Sequence, residues 1–551
     1  MEKRALLAAA LSLAVLVLWS RFFAPPPRNP GQQIQQQQRM NEQRQAEEQP
    51  ISKEEKPLYE KDLNAPEAQE AFPSEQNLTE QKIEVKTELY HAVFTTLGAT
   101  AIKWDLNKYT DDFGKPIRLI RPASGVLPPM SIVINDTRAD LPSKVIYSTD
   151  RNSVEFDGNN TQSLTFTYKD KSGLLIKKSF TFYFDSYRID MAVTVKGAPS
   201  YQLAIGDGFG IPNINAAAMY THVGPSLLQG TSREAFSLSD LDEGTLEFNQ
   251  DVRWIAQEDK YFTAALKPES GRGAAQVWKN GEKLEIAYTV NDEDSKFTLY
   301  AGPKQYDMLK QVGLQDIVNF GFWSFIAHPL FWFLKLLYKV TGNYGVSIIL
   351  ISILTRIPFI PLMNKSQKSM KKMQELNPKL QELKQKYKND SKKIQTETMK
   401  LYKEAGVNPV SGCLPMVLQI PVFFALYKVL LISIELRQAP FVAWLTDLSA
   451  PDTLFGHFPE AIPFLGGSAL GILPIIMGAT MFLQQKLTPN PSSGQQAAQM
   501  KMMKYLPIIF TFMFFNLSSG LVLYWTVGNI LGIIQQLFTN RKAVPASAEA
   551  Q

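Results

Sequence analysis

The chain has 551 residues, of which 45% are hydrophobic and 20% charged, and its formal net charge is +5. These averages suit an ordinary soluble protein of several domains, each with a sizeable core. The distribution along the chain excludes that class, because residues 24–317 are mostly polar while four later stretches are almost free of charge: 343–363, 413–434, 462–483 and 505–538. Uncharged stretches longer than about 18 residues are typical of membrane spans.

The composition also argues against cofactor chemistry. Cys413 is the single cysteine, which excludes an intramolecular disulfide and a metal site made of cysteines. The four histidines are scattered without the spacing of zinc ligands, and no phosphate-binding G-x-x-x-x-G-K-[ST] motif occurs. We therefore predict no metal, no other cofactor and no enzymatic activity.

The N-terminus has the layout of a secretory signal, in which Glu2-Lys3-Arg4 precedes an apolar run from Ala5 to Trp19. No small-residue cleavage site follows the run, so we interpret residues 1–23 as an uncleaved signal-anchor span with its N-terminus in the cytoplasm. A cleaved signal is the alternative. Residues 24–82 are rich in glutamine and proline and too polar to form a core, which predicts a disordered periplasmic linker.

Residues 83–317 show the period-2 alternation of half-buried strands, most clearly at 164–168 and 284–288. Turn sequences such as Asn280-Gly281 separate the apolar runs. The pattern predicts a periplasmic all-β sandwich, and no catalytic constellation stands out in it.

Residues 318–341 are apolar and aromatic, but His328, Lys335 and Lys339 fall on one stripe of a helix. An aromatic helix with a basic stripe is typical of a segment that lies in the membrane interface. We therefore predict a periplasmic interfacial amphipathic helix here.

The charge distribution sets the membrane topology. Residues 364–412 contain twelve lysines and five acidic residues, a net charge of +7 against +5 for the whole chain. So basic a loop belongs in the cytoplasm, and with the N-terminus also inside, one span must precede it. We predict six transmembrane helices with both termini in the cytoplasm. The last five form a core at 342–540, with spans at about 343–363, 413–434, 462–483, 501–515 and 518–538.

Residues 505–538 would be about 51 Å long as one helix, against a hydrocarbon core of about 30 Å. Lysines precede the stretch, and Arg541 and Lys542 follow it, which places both flanks inside. We therefore predict two spans joined by a turn at 516–520 and followed by a short cytoplasmic tail at 541–551. The first arm is too short for a full bilayer, which predicts local thinning.

Arg356 lies inside the first span of this core, where a charge costs at least about 2.5 kcal/mol. An internal ion pair is excluded, because no Asp, Glu or His occurs in the five later spans. Snorkelling to the inner headgroups is one remaining explanation. The other is a water-filled, positively charged groove open to the cytoplasm, whose polar residues are Ser352, Thr355, Gln419, Gln484 and Asn529. The same absence of Asp, Glu and His from these spans disfavours a proton-driven transporter.

The cytoplasmic loop 364–412 predicts a helical hairpin, because apolar residues recur in it at three- and four-residue steps. Those residues pack the two helices together, and methionines and lysines can also contact a protein, RNA or anionic lipid. The candidate contact residues are Lys365, Lys368, Met370, Lys371, Lys372 and Met373.

Four motifs together with Arg356 closely resemble the YidC/Oxa/Alb family of membrane protein insertases. They are GNYGVSII at 342–349, NPVSGCLP at 408–415, ELRQAPF at 435–441 and SGLVLYW at 519–525. The N-terminal anchor and large β domain resemble the Gram-negative type, in which the periplasmic domain is a β-supersandwich similar to sugar-binding folds. The implied fold class is a multi-domain membrane protein with six transmembrane α-helices, this supersandwich and a cytoplasmic helical hairpin.

The resemblance implies an ATP-independent insertase of the bacterial inner membrane, acting alone or beside the Sec translocon. Arg356 then corresponds to the groove arginine, and Tyr524 and Trp525 to a greasy slide that contacts the incoming helix; Pro421 completes the candidate groove. The implied partners are nascent membrane proteins, the Sec translocon, membrane lipid, and the signal recognition particle, its receptor and the ribosome through the cytoplasmic loops. Sequence-specific nucleic-acid binding is not implied. The tail after Lys542 is short and nearly uncharged, which leaves ribosome docking to the hairpin.

Two other functions remain open from the residues alone. A solute transporter or channel would show solute flux in liposomes, and a periplasmic sensor or scaffold would lose its function without residues 83–317. An insertase should instead depend chiefly on residues 318–540. Residues 455–470 are longer than the family pattern requires, and the sequence does not explain them.

Overall fold

The structure is a computed structural model. It describes residues 79–111, 113–120, 127–134, 141–206, 221–241, 244–269, 272–281, 283–388, 390–407, 414–462, 465–487 and 505–541. All of them belong to one compact unit, Glu75–Gln551. The predicted signal anchor, nearly all of the predicted linker, the motif residues 408–413 and the tail after Arg541 lie outside the described residues.

The N-terminal part of the described chain is β-rich, as the period-2 alternation predicted. Its strands are β1 Lys82–Lys86, β2 Tyr90–Thr95, β3 Thr100–Thr110, β4 Pro116–Arg118, β5 Ile132–Ile134, β6 Ser148–Thr149, β7 Ser153–Val154, β8 Thr161–Lys169, β9 Leu175–Tyr183, β10 Arg188–Lys196, β11 Tyr201–Ala204, β12 Gly224–Gln229, β13 Ser232–Ala235, β14 Thr245–Glu258, β15 Phe262–Pro268, β16 Gly273–Asn280, β17 Lys283–Val290 and β18 Asp294–Pro303. A five-stranded sheet has the order β4-β3-β2-β1-β7. A larger sheet runs β5-β11-β17-β16-β14-β15-β18-β10-β9-β8-β6, with β12 and β13 attached at β14.

Aromatic side chains join the two sheets. Phe94 on β2 of the smaller sheet lies 5.1 Å, ring centre to ring centre, from Phe180 on β9 of the larger one. Trp104 stacks on Tyr90 at 4.6 Å, and both side chains are fully buried. Alternate residues are buried in β9 and β10, whereas β11 and β15 are buried along nearly their whole length. Interdigitation of two inner faces is the ordinary core of a β-sandwich.

Lys178 makes a polar connection across this core. Its ammonium group is fully buried and donates to the carbonyl oxygens of Gly98 at 2.8 Å, Ala99 at 3.2 Å and Met130 at 2.8 Å. Burial lowers the pKa of Lys178 to about 7. The three acceptors tie the β2–β3 turn and the segment before β5 to β9.

Glu258 is the centre of a buried charge cluster at the end of β14. Its carboxylate accepts hydrogen bonds from the Arg233 guanidinium at 2.6 Å, the Lys304 ammonium at 2.7 Å and the Ser226 hydroxyl. Although burial acts against ionisation, the two cations lower the pKa of Glu258 to about 2. The cluster joins β12, β13 and β14 to the residue that follows β18, where the chain leaves the β domain.

The rest of the described chain is helical. The helices are α1 Leu141–Lys144 within the β domain, and then α2 Tyr306–Gln311, α3 Ser324–Thr341, α4 Tyr344–Arg356, α5 Ile360–Glu375, α6 Asn377–Lys386, α7 Ser391–Glu404, α8 Leu414–Ile432, α9 Ile472–Leu487, α10 Leu506–Phe514 and α11 Ser519–Arg541. Helix α3 packs on α4 and α8, and α11 packs on α4, α8 and α9. Helix α10 packs on α9.

Helices α4 and α5 are joined by a single turn of 3-10 helix, so residues 344–375 form one helical run. This run and Ser519–Phe538 are the two described helices long and apolar enough to cross a membrane; Val417–Ile432 and Ile472–Leu487 are apolar but shorter. The sequence placed the end of the span at 363, but the helix continues beyond it into the basic segment. Hydropathy marks where the apolar composition ends, and the helix does not end there.

The stretch predicted to span at 462–483 is helical only from Ile472. The residues before it form an irregular hairpin, in which the Phe458 amide donates to the Ser468 carbonyl and the Leu470 amide to the Gly456 carbonyl, at 2.9 and 2.8 Å. Paired backbone groups in this hairpin replace the helical hydrogen bonds that the apolar composition suggested.

Two residues of the basic stripe on α3 contact other parts of the protein, and the third, Lys339, is exposed. His328 packs against the rings of Tyr306 and Phe320, and Lys335 forms an ion pair with Asp307 on α2. Neither contact tests whether α3 lies in the membrane interface, which stays a prediction. The exposed face is aromatic and aliphatic instead, with Phe322, Phe325, Trp332, Phe333 and Val340.

One carbonyl group of the β domain accepts two hydrogen bonds from the helical part. The Thr110 carbonyl, at the end of β3, accepts hydrogen bonds from the Arg437 guanidinium at 2.5 Å and the Gln438 amide at 3.1 Å. The Arg437 guanidinium also lies 6.0 Å from the centre of the Phe262 ring on β15. The segment after α8 thus holds the β domain against the bundle.

Candidate functional site

The candidate site is built around Arg356, the last residue of α4. Its Nη1 atom is buried and has no hydrogen-bond partner among the described residues. Most of the neighbouring side chains on α4, α8 and α11 are apolar, so this guanidinium is a charge in a largely apolar bundle. An uncompensated buried charge is costly and is a hypothesis of function by default.

Two glycines on α11 make room for this group. A Cβ atom at Gly528 would lie 3.6 Å from Nη2 of Arg356, which is an ordinary contact. At Gly532 it would lie 2.5 Å from Nε2 of Gln484 and 3.4 Å from Nη1 of Arg356. Residues four apart share one helix face, so the two glycines form a notch that holds Arg356 and Gln484 together.

Tyr524 and Gln419 approach the same group from α11 and α8. The Tyr524 side chain is 5% exposed and lies beside Gln419 and Arg356. Pro421, two residues beyond Gln419, is half-buried on α8. The structure therefore brings four predicted residues together, Arg356, Gln419, Gln484 and Tyr524.

Trp525 belongs to an aromatic cluster beside this polar group. Its ring lies 4.7 Å from Phe423 on α8, and 5.7 and 5.1 Å from Phe510 and Phe514 on α10. Phe423 also stacks on Tyr524 at 6.4 Å. The cluster is an apolar wall that continues from the polar group toward α10.

Three other predicted residues use their polar groups elsewhere. The Ser352 hydroxyl donates to the Ile348 carbonyl at 2.6 Å, and the Thr355 hydroxyl to the Ile351 carbonyl at 2.8 Å. Both bonds lie within α4 and are the usual way for a helix to satisfy such hydroxyls. The Asn529 amide donates to the Thr480 hydroxyl at 3.2 Å and to the Met477 carbonyl at 3.4 Å, and so joins α11 to α9.

Glu435 lies far from Arg356. It follows α8 and interacts electrostatically with Lys335 and Asp307, near Tyr344. Tyr344 begins α4 and Arg356 ends it, which is a distance of about 18 Å along the helix. Burial raises the pKa of Glu435, and its Oε1 atom has no hydrogen-bond partner within the described ranges.

The described part of the basic segment folds as three helices, because α6 begins at Asn377, with Pro378 in its first turn, directly after the C-cap residue of α5. Met373 is buried in a small core with Leu380, Tyr402 and Val407, so it packs the segment together and is not on its surface. Met370 and Lys371 are half-buried, while Lys365, Lys368 and Lys372 are exposed.

Sequence reasoning missed the glycine notch and the aromatic partners of Trp525. The signal for the notch was present as two small residues four apart in an apolar helix, Gly528 and Gly532. The side chains that fill the notch are determined by the packing of α11 on α4 and α9. That packing cannot be predicted from the local sequence.

Comparisons with known proteins agree with this architecture. The family model described as YidC periplasmic domain matches residues 82–333, and the one described as 60Kd inner membrane protein matches residues 336–546. A relative named membrane protein insertase YidC from Pelobacter propionicus is 37% identical over 566 residues, covering 98% of this chain and 99% of the relative. A relative of the same name from Syntrophus aciditrophicus is 36% identical over 567 residues, covering 98% and 100%. A crystal structure of an active YidC insertase with its first transmembrane domain resolved covers 83% of this chain and 92% of its own, at 19% identity and a TM-score of 0.36.

The two family models define the class of this chain, which is an inner-membrane protein with a periplasmic domain. The chain belongs to the YidC family of membrane protein insertases. Its function is accordingly the insertion of nascent membrane proteins, and it is not an enzyme.

The notch makes a testable distinction between two glycines on one helix. We expect Gly532→Ala to displace Gln484 and to lower insertion about fivefold, because a lost polar contact is worth about 1 kcal/mol. Gly528→Ala gains the same helix propensity but meets Arg356 only at ordinary contact distance, so it should insert like the unmodified protein. Protease protection of a single-span substrate in proteoliposomes measures both, and equal insertion by the two variants would contradict the role of the notch.

Proposed function

We propose that Arg356, Gln419, Gln484 and Tyr524 line a hydrated, cationic groove that opens to the cytoplasm and to lipid. A nascent membrane protein must pass a hydrophilic segment through the bilayer while its apolar helix enters lipid. Polar groups and water in the groove lower the desolvation cost of that segment. The aromatic wall around Trp525 then offers the apolar helix a surface along which it moves into lipid.

The observation that carries this proposal is the buried Nη1 atom of Arg356, which has no hydrogen-bond partner among the described residues. A structural arginine in such a place would be paired with a carboxylate or capped by carbonyl groups. An arginine that is held in the notch with an unused hydrogen-bond donor can bind a transient ligand that carries hydrogen-bond acceptors. Acidic and polar segments of a translocating chain are ligands of that kind.

We also propose the membrane arrangement that this groove requires, with six spans, both termini in the cytoplasm and the β domain in the periplasm. The charge of the basic segment supports it. Helix α10 has nine residues and so spans about 14 Å, less than half the hydrocarbon core. Its exposed Ile508, Ile509, Phe512 and Met513 face lipid in this arrangement, and they are best accommodated by a thinned bilayer.

The exposed lysines of the basic segment support proposed partners on the cytoplasmic side. Lys365, Lys368 and Lys372 project a positive charge that attracts ribosomal RNA and anionic lipid without reading a sequence. We include the signal recognition particle, its receptor, the ribosome and the Sec translocon among these partners, on the family resemblance alone.

Site-specific photocrosslinking to a stalled nascent chain tests the groove. A photoreactive residue at position 356, 421 or 524 should crosslink to the chain. Leu354 is the matched control, because two residues along a helix turn the side chain by about 200° and Leu354 is exposed on the outside of α4. Crosslinks from position 354 that equal those from position 356 would contradict a groove at Arg356.

A further inference from the structure

The irregular hairpin between α8 and α9 is the segment that the sequence left unexplained. We call residues 453–462 and 465–470 the outer hairpin. Its two sides are joined by hydrogen bonds: the Phe455 amide donates to the Leu470 carbonyl at 2.9 Å, and the Phe458 amide donates to the Ser468 carbonyl. His457 and Ala469 form an isolated β-bridge. The segment is therefore ordered by its own backbone hydrogen bonds.

Contacts at its base fix the outer hairpin to the ends of three helices. Asp452, just before it, accepts a hydrogen bond from the Leu473 amide in the first turn of α9 at 2.8 Å. The Asn516 amide, in the turn between α10 and α11, donates to the Ser468 hydroxyl at 3.0 Å. Phe458 packs edge-to-face on Phe515 at 5.2 Å. The hairpin thus lies where α9 and α11 begin and α10 ends.

The outer hairpin exposes several large apolar side chains. Phe455 is 57% exposed, Leu454 43% and Ile462 37%, and the nearby Val442 and Trp444 are 57% and 39% exposed. Within 453–470 the sequence has one acidic residue, Glu460, and no lysine or arginine. Several large apolar side chains held outward on an ordered segment mark an interaction surface.

Continuity with the neighbouring helices identifies what covers this surface. Ile475 and Ile476 on α9 and Phe512 on α10 are exposed apolar residues that begin within one to two turns of the hairpin base. In the proposed membrane arrangement these residues face lipid. An apolar surface that continues from them past the helix ends meets the headgroup region, where aromatic residues are favoured.

We propose that the outer hairpin is seated in the headgroup region of the outer leaflet, with Leu454, Phe455 and Ile462 toward the acyl chains. This inference rests on the membrane arrangement given under the proposed function. It supplies a second interfacial element beside α3, which packs on α4 and α8, whereas the outer hairpin is held by α9 and the α10–α11 turn. The helical bundle is then anchored at the outer surface by α3 and by the outer hairpin. These two anchors fix the depth of the short α10 in the membrane.

Depth-dependent quenching tests the inference on the full chain. Cys413 is replaced by serine, and single cysteines at Phe455, Glu460 and Phe512 are labelled with an environment-sensitive fluorophore in phosphatidylethanolamine–phosphatidylglycerol vesicles. We expect nitroxides near the lipid headgroup to quench the label at 455 about threefold more than the label at 460. Aqueous iodide should show the opposite order. Glu460 is the matched control, because it lies on the same hairpin and carries a charge.

The possible outcomes separate the inference from the proposal on which it rests. If iodide reaches the labels at 455 and 460 equally and the lipid nitroxides quench neither, the hairpin stands in water and the inference is wrong. A label at 455 that is shielded from both quenchers means that protein covers it, which also overturns the inference. The label at Phe512 reports the membrane arrangement separately, since lipid nitroxides should quench it whether or not the hairpin is seated.

Discussion

Arg356→Ala should lower the insertion of substrates with acidic translocated tails about tenfold, while substrates with neutral tails change little. The reason is that the guanidinium offers the only unpaired positive charge that we place in the groove, and an attraction of about 1.4 kcal/mol between it and a carboxylate corresponds to that factor. The measurement is protease protection of tail variants that differ only in Asp against Asn, in proteoliposomes at low and high salt.

The variant should remain well folded. Nη1 of Arg356 has no hydrogen-bond partner in the described part of the chain, so truncation leaves no buried partner unsatisfied at that atom. Arg356→Lys is the matched control, because it keeps the charge and loses the planar fork, and it should retain most of the preference for acidic tails. Undiminished insertion of acidic tails by Arg356→Ala would refute the groove mechanism, and an equal loss for acidic and neutral tails would show that charge is not the basis of selection.

Glu258→Gln should destabilise the β domain by about 3–5 kcal/mol, the usual cost of removing one member of a buried charge cluster. Arg233 and Lys304 would then remain nearly buried without a carboxylate. Hydrogen exchange of the β12 and β14 amides in the full chain measures the change in local opening free energy. Glu234→Gln is the matched control, because Glu234 is exposed on the neighbouring β13.

The low pKa of Glu258 predicts how the stability of the folded chain depends on pH. The pKa of Glu258 is about 2 in the folded chain, against an ordinary value of 4.5. Below about pH 4.5 the unfolded chain takes up a proton that the folded chain does not bind, so stability falls as pH drops from about 4.5 to about 2. The loss amounts to about 3 kcal/mol, and above pH 5 the contribution is constant. In Glu258→Gln this part of the pH dependence should vanish, and its persistence would assign the acid sensitivity to other carboxylates.

The parts of the fold that follow from local periodicity could be predicted from the sequence. Period-2 alternation predicted the β domain, because one face of each strand is buried whatever its partner. The unusual position of Arg356 could also be recognised, because the cost of a charge among apolar residues does not depend on the fold. Both features are determined by a short segment and its surroundings, and not by how the segments pack together.

The parts that depend on pairing could not be predicted. The ion pair of Lys335 on α3 with Asp307 on α2 depends on how two helices pack, which the local sequence does not show. The sequence also did not show that the Ser352 and Thr355 hydroxyls donate to carbonyl groups of their own helix, and their place in the groove stays a prediction. The start of α9 was misplaced because apolar residues such as Ile462 serve an exposed hairpin and a membrane span equally well in a hydropathy profile.

The helical run from α4 to α5 connects the arginine of the candidate site directly to the basic segment. The Gln535 amide on α11 donates to Asn364 at 3.0 Å. Arg356 is eight residues from Asn364 on one side, and Lys372 is eight residues from it on the other. A buried guanidinium and an exposed ammonium group therefore stand about 24 Å apart along one helical segment, and this hydrogen bond ties the segment to α11 at the midpoint between them.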